Sequence, residues 1–271
     1  MSSPDHDDDF GGLHRDLRNT QFALTRRDAL RMTVLGLAFG SIPWIGCSTA
    51  SDPTRADDTV AGNSNCSKTP SETAGPFPGE GSNGPNVLNQ SGVVRGDIRS
   101  SFAGLGGTAD GVPLIVVLNL VAISTCAPLA SRAVYLWHCD RLGRYSLYTS
   151  GVTDQNYLRG VQEADANGKV TFTSIYPGCY SGRWPHIHFE VFPTLASANN
   201  VNNKIATSQI ALPKSANDAV YAQSQYPGSA GNQAQVTLAN DMVFSDGASL
   251  ELATMTGSVD SGLTATLTVA I

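Results

Sequence analysis

From residue 69 to the C-terminus, apolar residues come in short runs that alternate with polar ones, and no stretch keeps the three-to-four-residue spacing of a long helix. The runs are "PLIVVLNLVAIS" from Pro113, "AVYLWHC" from Ala133, "KVTFTSI" from Lys169, "HIHFEVF" from His186, "IATSQIAL" from Ile205 and "TATLTVAI" at the C-terminus. Gly, Asn and Asp bound most of them, as in "DANG" at 165–168, and these residues supply turns. Strands of this length must bury one face, so the spacing predicts an all-β domain, a sandwich of two sheets or a barrel. One short helix fits within Ser215–Tyr226, and no repeat of fixed period suggests a propeller or solenoid.

The first 68 residues read differently. An acidic start, Asp5 to Asp9, is followed by "TRRDALRM" from Thr25 and by the apolar "TVLGLAFGSIPWIG", Thr33 to Gly46. A basic segment before a short apolar one is the pattern of an export signal, and paired Arg26 and Arg27 resemble the twin-arginine type. An amphipathic helix of the domain itself is the alternative. The apolar run is too short, and too broken by Gly and Pro43, to read as a membrane span. Cys47 stands where a lipoprotein signal is cleaved, which makes it a candidate lipid anchor, although Trp44 is unusual there. Residues 48–68 hold few large apolar side chains and read as a flexible tether. The expected organisation is a signal at 1–47, a tether at 48–68 and a β-domain at 69–271. The expected location is the periplasm, the cell envelope or the exterior.

Seventeen basic residues against twenty-three acidic ones give a net charge of −6, with no basic run beyond the N-terminus, which excludes nucleic acid as a partner. Cys66, Cys126, Cys139 and Cys179 remain beyond the signal; four cysteines allow three complete pairings, and four buried thiols are the alternative.

The candidate chemistry lies in "PGCYSGRWPHIHFEVF", Pro177 to Phe192. In a strand, His186, His188, Glu190 and Phe192 share one face while Ile187, Phe189 and Val191 share the other. Two imidazoles so placed can bind one metal ion, or form an ordinary hydrogen-bonded pair. Arg183 precedes them by three residues, and a cation beside a metal is tolerated only where anions are also present. Tyr180 can supply one, because a highly charged cation favours the phenolate, a hard donor suited to ferric iron. In "VYLWHCDRLGRYS", Val134 to Ser146, a second tyrosine, Tyr145, follows a buried-looking strand; Trp137 reads as core and His138 as structural.

Four motifs in order resemble the intradiol ring-cleavage dioxygenases: "TAGPF" at 73–77, "WHCDRLGRYS", "YLRGVQEADANGKVTFTSIYPGCY" and "RWPHIHF". The resemblance runs from about Thr69 to the C-terminus. It implies a two-sheet β-sandwich of the prealbumin-like type and one non-haem Fe(III) per chain, held by Tyr145, Tyr180, His186 and His188. It further implies that Arg183 and Gln209, in "TSQIAL", position a small aromatic diol. By the same resemblance Tyr180 would be the ligand that leaves the metal and takes a proton, and O2 would open the ring between the two hydroxylated carbons to a muconate-type diacid. Only Ser181 and Gly182 separate Tyr180 from Arg183, a shorter link than in well-known members, which implies a more open pocket. Cys139 and Cys179, one beside each half of the site, are the favoured disulfide. A transthyretin-like binding module without turnover, and a zinc hydrolase using His186, His188 and Glu190, remain as rival readings. The oligomeric state is left open.

Overall fold

The computed structural model describes residues 66–271; the expected signal, Cys47 and residues 48–65 of the expected tether lie outside the described residues. Eight strands form two four-stranded sheets: β1 (Pro113–Val121), β2 (Ala133–Trp137), β3 (Arg159–Glu163), β4 (Lys169–Ile175), β5 (His186–Phe192), β6 (Ala206–Ala211), β7 (Thr254–Ser258) and β8 (Gly262–Ala270). One sheet runs β4-β1-β8-β7 and the other β3-β2-β5-β6. Only β1 and β8 pair in parallel among these strands. Two short helices, α1 (Lys214–Tyr221) and α2 (Ser229–Gln233), follow β6. No helix among the described residues is long and apolar enough to cross a membrane. The fold is an all-β sandwich.

Alternation explains the packing. Leu114, Val116 and Leu118 of β1 and Leu263, Ala265 and Leu267 of β8 meet Val134 and Leu136 of β2 and Ile187, Phe189 and Val191 of β5 in one core between the sheets. The opposite face of β2 and β5 is also buried, beneath residues 74–102, where Tyr135, Trp137 and Phe192 pack against Val87, Leu88, Val93 and Phe102. All seven residues of β5 are therefore buried, and its two faces do different work.

Two strands escape the alternation. β3 reads "RGVQE", and its Arg159 is fully buried because every guanidinium nitrogen has an acceptor: Ser146 Oγ, Pro78 O, Phe77 O and Ser146 O. β7, "TMTGS", is an exposed edge strand with no apolar face to give it away.

The cysteine pairing differs from expectation. Cys66 bonds Cys126, while Cys139 and Cys179 are buried free thiols. The described chain begins beside the turn after β1, with Cys66 N donating to Ile123 O, and this brings Cys66 to Cys126. The thiols of Cys139 and Cys179 instead lie against the carbonyls of Gly178 and Arg183.

Candidate metal centre

Cross-strand register builds the floor of the site. Arg159, Trp137, His188 and Gln209 stand opposite one another on β3, β2, β5 and β6, so they form one row on the sheet's outer face. Trp137 stacks on the His188 ring, with centroids 4.9 Å apart and planes within 5°. His186, two residues back along β5, shares that face, and its ring stands nearly perpendicular to that of His188, at 81°.

Two loops bring the tyrosines over this floor. The first is organised by Asp140, whose carboxylate accepts from the backbone of Leu142 and Arg144, from Arg144 Nε and from the Tyr157 hydroxyl, and it ends at Tyr145. The second carries Tyr180. Gly178 is the only residue type its place allows, because a Cβ there would stand 2.6 Å from the Arg141 carbonyl of the first loop.

The four donor atoms converge. Tyr145 Oη lies 3.4 Å from His186 Nε2 and 3.2 Å from His188 Nε2; Tyr180 Oη lies 3.1 Å from His186 Nε2; the two Nε2 atoms are 3.1 Å apart. Donors about 2.0–2.1 Å from one ion and about 90–110° apart are separated by roughly 2.9–3.4 Å, so these spacings fit the corners of one metal polyhedron. The tautomer of His186 agrees: its Nδ1–H donates to the Trp184 carbonyl, leaving the Nε2 lone pair to face the cluster. Burial pushes both imidazoles well below the ordinary histidine pKa, which keeps them neutral as ligands must be. Burial also raises both phenols, Tyr180 to about 12, so only a strong local cation would make phenolates of them. Among the described residues no three His, Cys, Asp or Glu side chains converge in this way, so the tyrosines are indispensable to the set.

Arg183 is buried beside the donors. Its Nε donates to Asp241 Oδ2 at 2.9 Å and its Nη2 to Gln209 Oε1 at 2.7 Å, while Gln209 Nε2 donates to Thr73 O at 2.8 Å. The structure thus brings Tyr145, Tyr180, His186, His188, Arg183 and Gln209 together. It keeps two other residues apart. His138 turns to the Cys139 carbonyl and Ser174 Oγ, and Glu190 Oε1 pairs with Lys204 Nζ at 2.6 Å, so that among the described residues no carboxylate joins the two imidazoles in a zinc-hydrolase arrangement. Sequence reasoning missed Asp241, 58 residues beyond Arg183 with no local pattern to mark it, and missed the role of 73–80 as a strap. That strap lies over the site. Phe77 is 5.2 Å from the Tyr145 ring, and a Cβ on Gly75 would be 3.4 Å from His188 Cε1. The tip of the Tyr180–Arg183 link is exposed, and a Cβ on Gly182 would meet nothing within 4 Å.

A family model described as Dioxygenase matches residues 83–197, a span that includes both tyrosines, both histidines and Arg183. No curated protein matches the chain. Among solved structures, an intradiol ring-cleavage dioxygenase from Tetranychus urticae superposes with a TM-score of 0.61 at 26% identity, covering 76% of this chain and 95% of that one. The crystal structure of a second dioxygenase gives 0.60 at 27% identity, covering 76% of this chain and 94% of that one.

Proposed function

This chain belongs to the intradiol ring-cleavage dioxygenases, and we infer that it is an exported enzyme of that family, opening a catechol-type ring between its two hydroxylated carbons with O2 to give a muconate-type diacid. The observation that carries the finer reading is the convergence of the four donors, with Tyr145 Oη and Tyr180 Oη each 3.1–3.4 Å from the imidazole nitrogens they face and the two Nε2 atoms 3.1 Å apart. Tyr145, Tyr180, His186 and His188 would hold one non-haem Fe(III). When bound, ferric iron supplies the Lewis acidity that turns both phenols into phenolates and lowers the pKa of a bound diol.

The residues then divide the work. Tyr145 is buried and faces both imidazoles, so it is the fixed ligand, whereas Tyr180 is half-buried at the end of an exposed link. Its Oη is the atom that takes a proton from the incoming diol and moves aside. Arg183, held by Asp241 and Gln209, keeps its Nη1 free of partners among the described residues, and this donor pair serves where negative charge develops on the substrate. Gln209 spans Arg183 and the strap and so sets the width of the substrate space. The stacked Tyr135–Trp137–His188 column excludes water from the far side of His188. The open Ser181–Gly182 tip supports acceptance of diols with bulky ring substituents.

Arg26 and Arg27 before a short apolar run support export to the periplasm, envelope or exterior, and the Cys66–Cys126 disulfide suits an oxidising compartment. Cleavage between the signal and residue 69 in protein recovered from the periplasm would bear this out; full-length protein in the cytosol would refute it.

The test is optical and chemical together. Iron-loaded protein should absorb in the visible through its tyrosinates, consume one O2 per catechol and yield the diacid. Tyr145→Phe and Tyr180→Phe should each change that band and lower turnover about a hundredfold or more. Colourless protein with stoichiometric iron would refute the ligand set. A coloured protein that consumes no O2 with any diol would instead favour a binding module.

A further inference from the structure

The loop after α2 contributes a residue to the site that no motif marks. Asp241 is completely buried, and its carboxylate accepts four hydrogen bonds: Oδ2 from Arg183 Nε at 2.9 Å and Trp184 N at 2.7 Å, Oδ1 from Val243 N at 2.9 Å and Phe244 N at 3.2 Å. One oxygen thus holds the segment that carries Arg183 and leads into His186, and the other holds its own turn. The same turn places Phe244, whose ring lies 6.0 Å from the Arg183 guanidinium carbon and 6.5 Å from the His186 ring.

We propose that Asp241 is the positioning residue for Arg183, fixing the plane of its guanidinium so that Nη1 faces the substrate space; the inference rests on the ring-cleavage reading above. Two anchors on different elements define that plane. Asp241 holds Nε from the loop after α2, and Gln209 holds Nη2 from β6. Either anchor alone leaves the planar group free to rotate about the other. With both, three of the five N–H directions remain for ligand, and they remain in one orientation. Asp241 also supplies the counter-charge without which a buried guanidinium would be drawn toward any other anion, the phenolates of the metal site included. Asn at this position would keep the shape but not the pattern. Its amide nitrogen brings hydrogens to a place where two donors already point, so either Arg183 and Trp184 or the 243–244 turn must be released.

A double-mutant cycle on the iron-loaded enzyme tests this. Wild type, Asp241→Asn, Arg183→Gln and the double variant are compared for kcat, KM and the visible tyrosinate band. Arg183→Gln should lose about a hundred- to a thousandfold in kcat/KM, and Asp241→Asn about ten- to a hundredfold through misplacement of the same group. The double variant should match Arg183→Gln within about twofold, because the effect of Asp241 on the substrate runs through Arg183. All four should keep the band. Losses that multiply in the double variant, an Asp241→Asn enzyme within about twofold of wild type, or loss of the band in Asp241→Asn alone would overturn the proposal. If Asp241→Asn does not fold, the double variant still decides, since it removes cation and counter-charge together and is compared only with Arg183→Gln. Wild type without band or turnover would overturn the ring-cleavage reading and the inference with it, an outcome distinct from any pattern within the cycle.

Discussion

Gly143 and Tyr180 touch: a Cβ placed on Gly143 would stand 3.0 Å from the Cβ of Tyr180, and Gly143 has a φ of +78°. The two tyrosine loops are therefore set against each other, backbone to side chain, at a glycine. Gly143→Ala adds both left-handed backbone strain and a contact that Tyr180 must yield to, at a combined cost of about 1–3 kcal/mol. The strain falls on the spacing of the donors, so a shifted tyrosinate band and weaker iron retention should accompany the loss of stability. An unchanged band in a folded Gly143→Ala protein would show that the loops are independent.

His138 gives a pH signature separate from the metal. It is buried between the Cys139 carbonyl and Ser174 Oγ, and burial lowers its pKa to about 4. The folded pKa lies below the unfolded value of about 6.5. The unfolded chain therefore binds the proton more readily, and the stability that the neutral ring contributes is complete above about pH 6.5 and lost as pH falls through about 4. The shift corresponds to roughly 3 kcal/mol. Urea unfolding at pH 7 and at pH 4 should show a smaller acid loss in His138→Gln than in wild type, the other histidines cancelling in the difference. An equal acid loss in both proteins would place the titration elsewhere.

The disulfide gives a count. Cys66 and Cys126 are separated by 60 positions in sequence, a loop for which the chain-entropy account allows up to about 4 kcal/mol. Replacing both with Ser should destabilise the domain by about 2–4 kcal/mol. Thiol titration of the unfolded, unreduced domain starting at Cys66 should find two thiols, Cys139 and Cys179. Finding none would restore the pairing that their positions along the chain suggest.

That pairing shows where sequence stops being informative. Alternation is a local property, so β5 could be read to the residue, His186 to Phe192, and with it the face on which the imidazoles lie. The tyrosines were legible because each lies in a motif that resembles the dioxygenases, beside a turn marked by glycine. Disulfide partners, by contrast, depend on where chain segments meet, and the placement of Cys66 beside Ile123 has no signature in either segment. The same holds for Asp241, an acidic residue in a polar loop until Arg183 is brought to it. β3 failed for a related reason. A buried arginine in "RGVQE" looks like surface until the carbonyls of Phe77 and Pro78 are known to lie over it.

Arg159 is accordingly the fastening of the strap. Its guanidinium bonds the carbonyls of Phe77, Pro78 and Ser146 and the Ser146 hydroxyl, and these join residues 73–80 to the loop that bears Tyr145. Arg159→Leu would leave the carbonyls of Phe77 and Ser146 without their donor, while Pro78 O keeps the Tyr135 hydroxyl, at about 1–3 kcal/mol for each group that water cannot reach. Part of that cost is avoided if the strap lifts and lets water in. The expected result is a domain less stable by about 3–5 kcal/mol, with its tyrosinate band at the wild-type position and its iron released faster to a soluble chelator. The band should hold because no donor atom moves, and release should quicken because the Phe77 ring no longer lies over Tyr145. Chelator kinetics identical to wild type in a folded Arg159→Leu protein would mean that the strap does not guard the site.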